Sequence, residues 1–162
     1  MSRHASDAER EIRDLAEGWR DALGAKDVAK RTAGYAPDVV LFDVIGPLQH
    51  TGLAALQQRL AAWFSTFEGP IGCEIRDLDI TASRAAAFCH SLHHFTGQLR
   101  DGASLDMWVR FTTCLRRIDG RWTVTHEHAS APLNAGNGQG SGMDLARAGQ
   151  AFRDHVRRPT VR

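Results

Sequence analysis

The sequence predicts an α+β domain in which three N-terminal helices pack on one face of a curved, mostly antiparallel β-sheet, a cone with a pocket inside. Three observations carry this. Apolar residues recur with helical spacing up to Phe67, the chain turns to β-type patterning from Ile71 onward, and turn pairs divide that second part into long strands. Long twisted strands curl around helices, and a cavity can open between the two layers.

Ser6 and Glu9 read as a capping box at the start of the first helix. Ile12, Leu15, Ala16, Trp19, Ala22 and Leu23 then share one helical face, and Gly24 suits the left-handed cap that ends it. Asp27 can cap a second, shorter helix running to about Tyr35, where Pro37 forces the chain out of helical geometry. Residues 38–43 form a β-branched, apolar strand that Gly46-Pro47 turns, with 48–50 returning beside it. Thr51 can cap a third helix, whose Leu53, Leu56, Leu60, Trp63, Phe64 and Phe67 share a face until Gly69-Pro70 stops it. Strands follow at about 71–81, 85–98, 104–118 and 121–131 as an antiparallel meander, and Asp119-Gly120 is a strong hairpin signal. The domain spans residues 1–132. Residues 133–162 read as a flexible Gly-rich linker, Asn134 to Gly142, followed by a tail.

A chain of 162 residues fits one domain and can bury a real core. With 43% hydrophobic and 24% charged residues and a formal net charge of +1, it has no one-signed field to recruit nucleic acid or an anionic membrane. It has no run of twenty apolar residues, and its N-terminus lacks the apolar segment of a secretory signal, so a cytoplasmic protein is expected. Cys73, Cys89 and Cys114 form no C-x-x-C pair and read as small core hydrophobes.

Residues 35–46, YAPDVVLFDVIG, and the closing 119–130, DGRWTVTHEHAS, resemble the first strand and last hairpin of the NTF2-like superfamily, in its SnoaL-like and ketosteroid isomerase-like branch. The similarity covers roughly residues 8–132. It implies the cone fold and a pocket, and it puts Asp43 where ketosteroid isomerases carry the aspartate that shuttles a proton beside a carbonyl. Trp19 stands where that isomerase holds an oxyanion with a tyrosine, and its indole N–H is a donor of far lower acidity. The isomerase's second acid falls among Arg110 to Thr113, none of which is a carboxylic acid, so steroid isomerisation itself is not implied. The resemblance also implies that Thr125, Glu127 and Ala129 line the pocket. His126 and His128 would then lie on the outer face, where this family commonly forms its dimer.

Alternation along the strands sets out the other candidates. Asp106, Trp108, Arg110 and Thr112 share one face, opposite Met107, Val109, Phe111 and Thr113, and one extra residue in the hairpin would swap which set joins Glu127. Trp108 and Arg110 suit a planar, anionic or carbonyl ligand. A cross-strand ion pair and packing at a dimer surface is the other reading. His90 could serve as acid–base partner to Asp43. His126 and His128 have the i, i+2 spacing of a metal pair, but no third ligand is fixed to converge on them, so no metal and no cofactor is expected.

The candidates are therefore Asp43, His90, Arg110 and Glu127 for catalysis, and Trp19, Trp63, Trp108 and Thr125 for ligand contact. The expected function is cofactor-independent proton transfer on a small hydrophobic carbonyl compound: isomerisation, cyclisation or hydration. The alternative is a non-catalytic binding or association module. A homodimer through the sheet face, with Trp108, Trp122, Val124 and the histidines on it, is expected in either case.

Overall fold

The computed structural model describes residues 3–132. The chain runs α1 (Arg3–Gly24), α2 (Val28–Arg31), β1 (Tyr35–Phe42), β2 (His50–Thr51), α3 (Leu53–Ser65), β3 (Gly72–Ala82), β4 (Ala86–Gln98), β5 (Ser104–Ile118) and β6 (Arg121–Ser130). Helices precede a long meander, as the periodicity predicts. The linker and tail expected over 133–162 lie outside the described residues.

On α1, Ile12, Ala16, Trp19 and Leu23 form a buried stripe at helical spacing. Its start differs from expectation: Arg3 already belongs to the helix, so Ser6 and Glu9 lie past its first residue. Asp27 does cap α2, its Oδ1 accepting from the Lys30 N–H at 2.9 Å. That helix stops at Arg31, however, and Tyr35 already begins β1. Thr51 sits in β2, and Gly52 is the N-cap of α3. Its φ of +90° is open to glycine without strain, and its N–H donates to the Val39 carbonyl at 2.8 Å, tying the helix start to β1.

The six strands order as β2-β1-β6-β5-β4-β3. From β3 to β6 every neighbour is antiparallel, whereas β1 joins β6 in parallel. Asp119 and Gly120 close the β5–β6 hairpin with φ values of +50° and +77°, the left-handed pair that a two-residue turn of this hand demands. The helices cover one face only. Between them and the sheet, Ile12, Val39, Phe67, Leu115 and Val124 are almost wholly excluded from water, each contributing about 1.5–3 kcal/mol of burial. No helix among the described residues is long and apolar enough to cross a membrane.

A register shift in β6 decides which side chains enter the cone. Cys114 pairs with His126 and Leu115 with Val124, so Thr125 is an extra residue. The bulge puts Trp122 and Val124 on the same face as Glu127 and Ala129, which strict alternation would not. Trp122 and Val124 are therefore core residues, 4% and 0% exposed, and are not part of the outer surface where they were expected. Thr125 loses its place on the inner face and only approaches the Cys114 carbonyl, at 3.4 Å.

Candidate functional site

Helices and sheet enclose a cavity of about 90 Å³. Its apolar wall comes from α3, through Leu56, Leu60 and Trp63, and from the inner faces of β4 and β5, through Phe95, Val109 and Phe111. Five polar side chains interrupt that wall: Arg31, Asp43, Arg59, His93 and Glu127. Four of them form two ion pairs.

The outer pair is Asp43 with Arg59. Asp43 follows the last residue of β1, and α3 brings Arg59 Nε to 2.7 Å from its Oδ2. The Val44 N–H donates to its Oδ1 at 2.6 Å. The Asp43 side chain keeps 14% of its exposure, and the neighbouring Ile45, also lining the cavity, is half exposed, which marks this end as the mouth.

The inner pair is Arg31 with Glu127. Arg31 ends α2, while Glu127 comes from β6 opposite Leu41 of β1. Arg31 Nη2 lies 3.3 Å from Glu127 Oε1, and Arg31 Nη1 donates to the Tyr35 hydroxyl, which itself donates to Glu127 Oε2 at 2.5 Å. The rings of Trp19 and Tyr35 flank the guanidinium, 5.4 and 5.2 Å from its centre. Burial disfavours the charged guanidinium, but its electrostatic and hydrogen-bond interactions with Tyr35 and Glu127 outweigh it and hold Arg31 above its ordinary pKa. Burial raises the Tyr35 phenol well above its usual range, so it stays a donor.

His93 is the fifth. Its ring stacks on Phe111 with centroids 4.3 Å apart, and its Nε2 lies 3.0 Å from Ser91 Oγ. Burial first, and the nearby charge of Arg31 second, push its pKa down to about 3, so the imidazole is neutral at physiological pH. The cavity thus presents an apolar wall, two internally balanced ion pairs and an uncharged imidazole. Such a site suits an uncharged ligand, because neither cation nor carboxylate is left without a counter-charge.

Of the residues singled out from sequence, Asp43, Glu127 and Trp63 meet in this cavity. Trp19 is buried behind Arg31 and does not line it. Four further placements are corrected. His90, Trp108 and Arg110 lie on the opposite face, because Ser91 pairs with Phe111 and His93 with Val109, and this alternate set points inward. His90 is exposed, 3.8 Å from Asp79, and cannot serve Asp43. Trp108 is stacked against His94 at 4.6 Å, with Arg76 above it at 5.1 Å. The bulge takes Thr125 out of the lining. His126 and His128 lie on the outer face as expected, packed against Phe42. Cys73 and Cys89 are pushed up to about 11 by burial, which fits packing and not nucleophilic work.

Sequence reasoning missed Arg31, Arg59, Tyr35 and His93. Part of the signal was present. Met107, Val109 and Phe111 are the more apolar of the two β5 sets, which marks the inner face, and cross-strand pairing then carries His93 in with them.

A helix-backed curved sheet closed over an apolar cavity with a few convergent polar groups defines a cone-fold domain built around an internal site. The SnoaL-like domain profile matches residues 12–134, and the chain belongs to that family. Among solved structures, an NTF2-like protein of unknown function from Pseudomonas putida KT2440 is 33% identical with a TM-score of 0.78, over 87% of this chain and 97% of that one. An NTF2-like family protein from Streptomyces avermitilis whose name points to a dehydratase superposes with a TM-score of 0.70 at 14% identity, over 80% and 99%. A ketosteroid isomerase-like protein from Erwinia carotovora atroseptica gives 0.64 at 22% identity, over 75% and 93%. The last two likenesses show the fold alone. No curated protein matches the sequence.

Proposed function

We propose that this protein is a cofactor-independent enzyme that moves a proton on a small, uncharged, largely apolar carbonyl compound, with Asp43 as the base. Isomerisation, aldol-type cyclisation and hydration or dehydration are the reaction classes this serves. The observation that carries the reading is the Asp43 carboxylate at the mouth of a largely apolar cavity, oriented by the Val44 N–H and paired with Arg59. An ionised carboxylate accepts a proton from a carbon beside a carbonyl, and each oxygen keeps a lone pair beyond those already engaged. The names of the dehydratase-like and isomerase-like relatives point to the same kind of step, on the same fold.

The test is α-proton exchange in D2O, followed by NMR across a panel of small enolisable ketones. Wild type is expected to exchange at least one of them, and Asp43→Asn to slow that exchange by about 10²–10⁴-fold. Unchanged exchange in the variant removes Asp43 as the base. One observation favours a second reading, a non-catalytic binding domain: both Asp43 oxygens already hold partners, as in a structural carboxylate. A ketone that stabilises the protein yet is recovered with all its protons in place supports that reading.

A further inference from the structure

The size of the cavity and the placing of polar atoms in its wall limit what can enter and which end goes first. An apolar cavity of about 150 Å³ takes up benzene, and sites that enclose a drug-sized ligand run to about 300–1,000 Å³. This one holds about 90 Å³, room for roughly four non-hydrogen atoms on the benzene scale. Its inner wall is braced. Trp63, His93, Phe95 and Phe111 pack ring against ring, with centroids 4.3–6.2 Å apart. A close-packed interior resists the displacement that a larger guest needs.

The inner polar groups offer a carbonyl nothing to bond. Tyr35 and Glu127 hold the terminal nitrogens of Arg31, and Ser91 holds His93 Nε2. Arg31 Nε and His93 Nδ1 have no partner among the described residues, but both are sealed within the wall. A carbonyl carried inward therefore gives up water and gains no donor, which disfavours it. At the mouth the side chains of Arg59 and Asp43 are 20% and 14% exposed, so water reaches that end.

We infer that the ligand of this cavity is a short-chain carbonyl compound that enters tail first, an alkyl end of about four carbons filling the interior while the carbonyl stays at the mouth.

The inference rests on the reading that the cavity receives a carbonyl compound, and it narrows that reading. A steroid nucleus or a fused polyketide ring system has several times the volume available and is excluded from the interior. A tail ending in a hydroxyl or a charge meets the same wall without partners. With the carbonyl outward, the carbon beside it lies at the end of the cavity where Asp43 stands. Proton abstraction there breaks a C–H bond, puts the proton on the Asp43 carboxylate and leaves the electron pair spread over carbon and oxygen. The negative charge on oxygen then builds at the hydrated end, where Arg59 also stands.

The experiment is a ladder of methyl ketones, from propanone to 2-nonanone, titrated into the full chain and followed by protein NMR. Affinity is expected to rise about fourfold with each carbon added to the tail, the gain from burying one CH₂. Beyond a tail of about four carbons, at 2-hexanone, the gain should fall below about twofold per carbon. Orientation is read from 3-hexanone, which has the same atoms but a longer arm one carbon shorter, and should bind about fourfold more weakly than 2-hexanone. Ala129→Val narrows the cavity and should move the break to a shorter tail; Phe111→Leu widens it and should move the break to a longer one. A gain that continues undiminished to 2-nonanone overturns the inference. So does equal affinity for the two hexanones, tighter binding of the fused bicyclic 1-decalone than of 2-hexanone, saturable binding of none, or a break that stays put in the folded variants. Wild type alone decides all but the last of these, so a variant that does not fold leaves the test intact. Binding is read at equilibrium without turnover. A break at the expected length with no α-proton exchange removes Asp43 as the base and leaves this inference standing, while exchange on ketones that show no break does the reverse.

Discussion

The two ion pairs of the cavity are alike in composition and opposite in circumstance. Arg59 and Asp43 make the shorter contact, 2.7 Å, with side chains 20% and 14% exposed. Arg31 and Glu127 make the longer one, 3.3 Å, with side chains 6% and 4% exposed. Distance alone would rank the outer pair as the stronger. Burial reverses the ranking for the consequence of losing a partner, because a charge stranded in the interior cannot recover its hydration, while one at the mouth can. The inner pair is in effect part of the core, braced by the Tyr35 hydroxyl and by the rings of Trp19 and Tyr35. The outer pair is the one at the mouth of the cavity.

The largest effect should come from breaking the inner pair on one side. Glu127→Ala leaves Arg31 cationic and buried, and is expected to cost about 3–5 kcal/mol in urea unfolding. Removing both charges at once, as in Arg31→Met with Glu127→Leu, strands nothing and should recover most of that loss. If the double variant is no more stable than Glu127→Ala, the cost is one of packing around the site and the contrast between the pairs loses its electrostatic basis.

His93 sharpens the comparison through pH. Its folded-state pKa, about 3, lies below the ordinary 6.5, so between those values the unfolded chain binds a proton that the folded chain refuses. Stability therefore falls as the pH drops through that window and is unaffected by this group above it. The slope from one such proton is about 1.4 kcal/mol per pH unit. Urea midpoints measured from pH 7 to pH 4 should fall more steeply for wild type than for His93→Phe. Parallel curves would mean that the imidazole is not buried as the cavity requires.

The outcome at His93 also shows where the sequence was legible. The four meander strands, the Asp119-Gly120 turn and the apolar stripes of α1 and α3 follow from local patterning, and local patterning is what a sequence displays. The parallel addition of β1 to β6 has no local signature, since nothing in residues 35–42 names a partner more than 80 positions away. The Thr125 bulge is one residue among alternating ones, yet it alone moves Trp122 and Val124 from the outer face to the core. Arg31 reads in sequence as an ordinary surface charge on a short helix, and its meaning comes from Glu127, 96 residues later in the chain. Asp43 was visible because a resemblance pointed at it. His93 was passed over for His90 because both strand faces carry histidine, and only the apolar set on β5 tells them apart.

The smallest effect belongs to the outer pair, and it is the one that separates a working carboxylate from a structural one. Arg59 and Asp43 keep enough contact with water that either charge can be rehydrated when its partner is removed. Arg59→Met, Asp43→Asn and the double variant, set out as a thermodynamic cycle in urea, should therefore give a coupling of about 1 kcal/mol or less. A coupling as large as that of Arg31 with Glu127 would make Asp43 a structural anchor and favour the binding-only reading. A small coupling together with a large loss of α-proton exchange in Asp43→Asn would mean that this carboxylate is held at the mouth for what it does to a ligand, because the fold gains little from it.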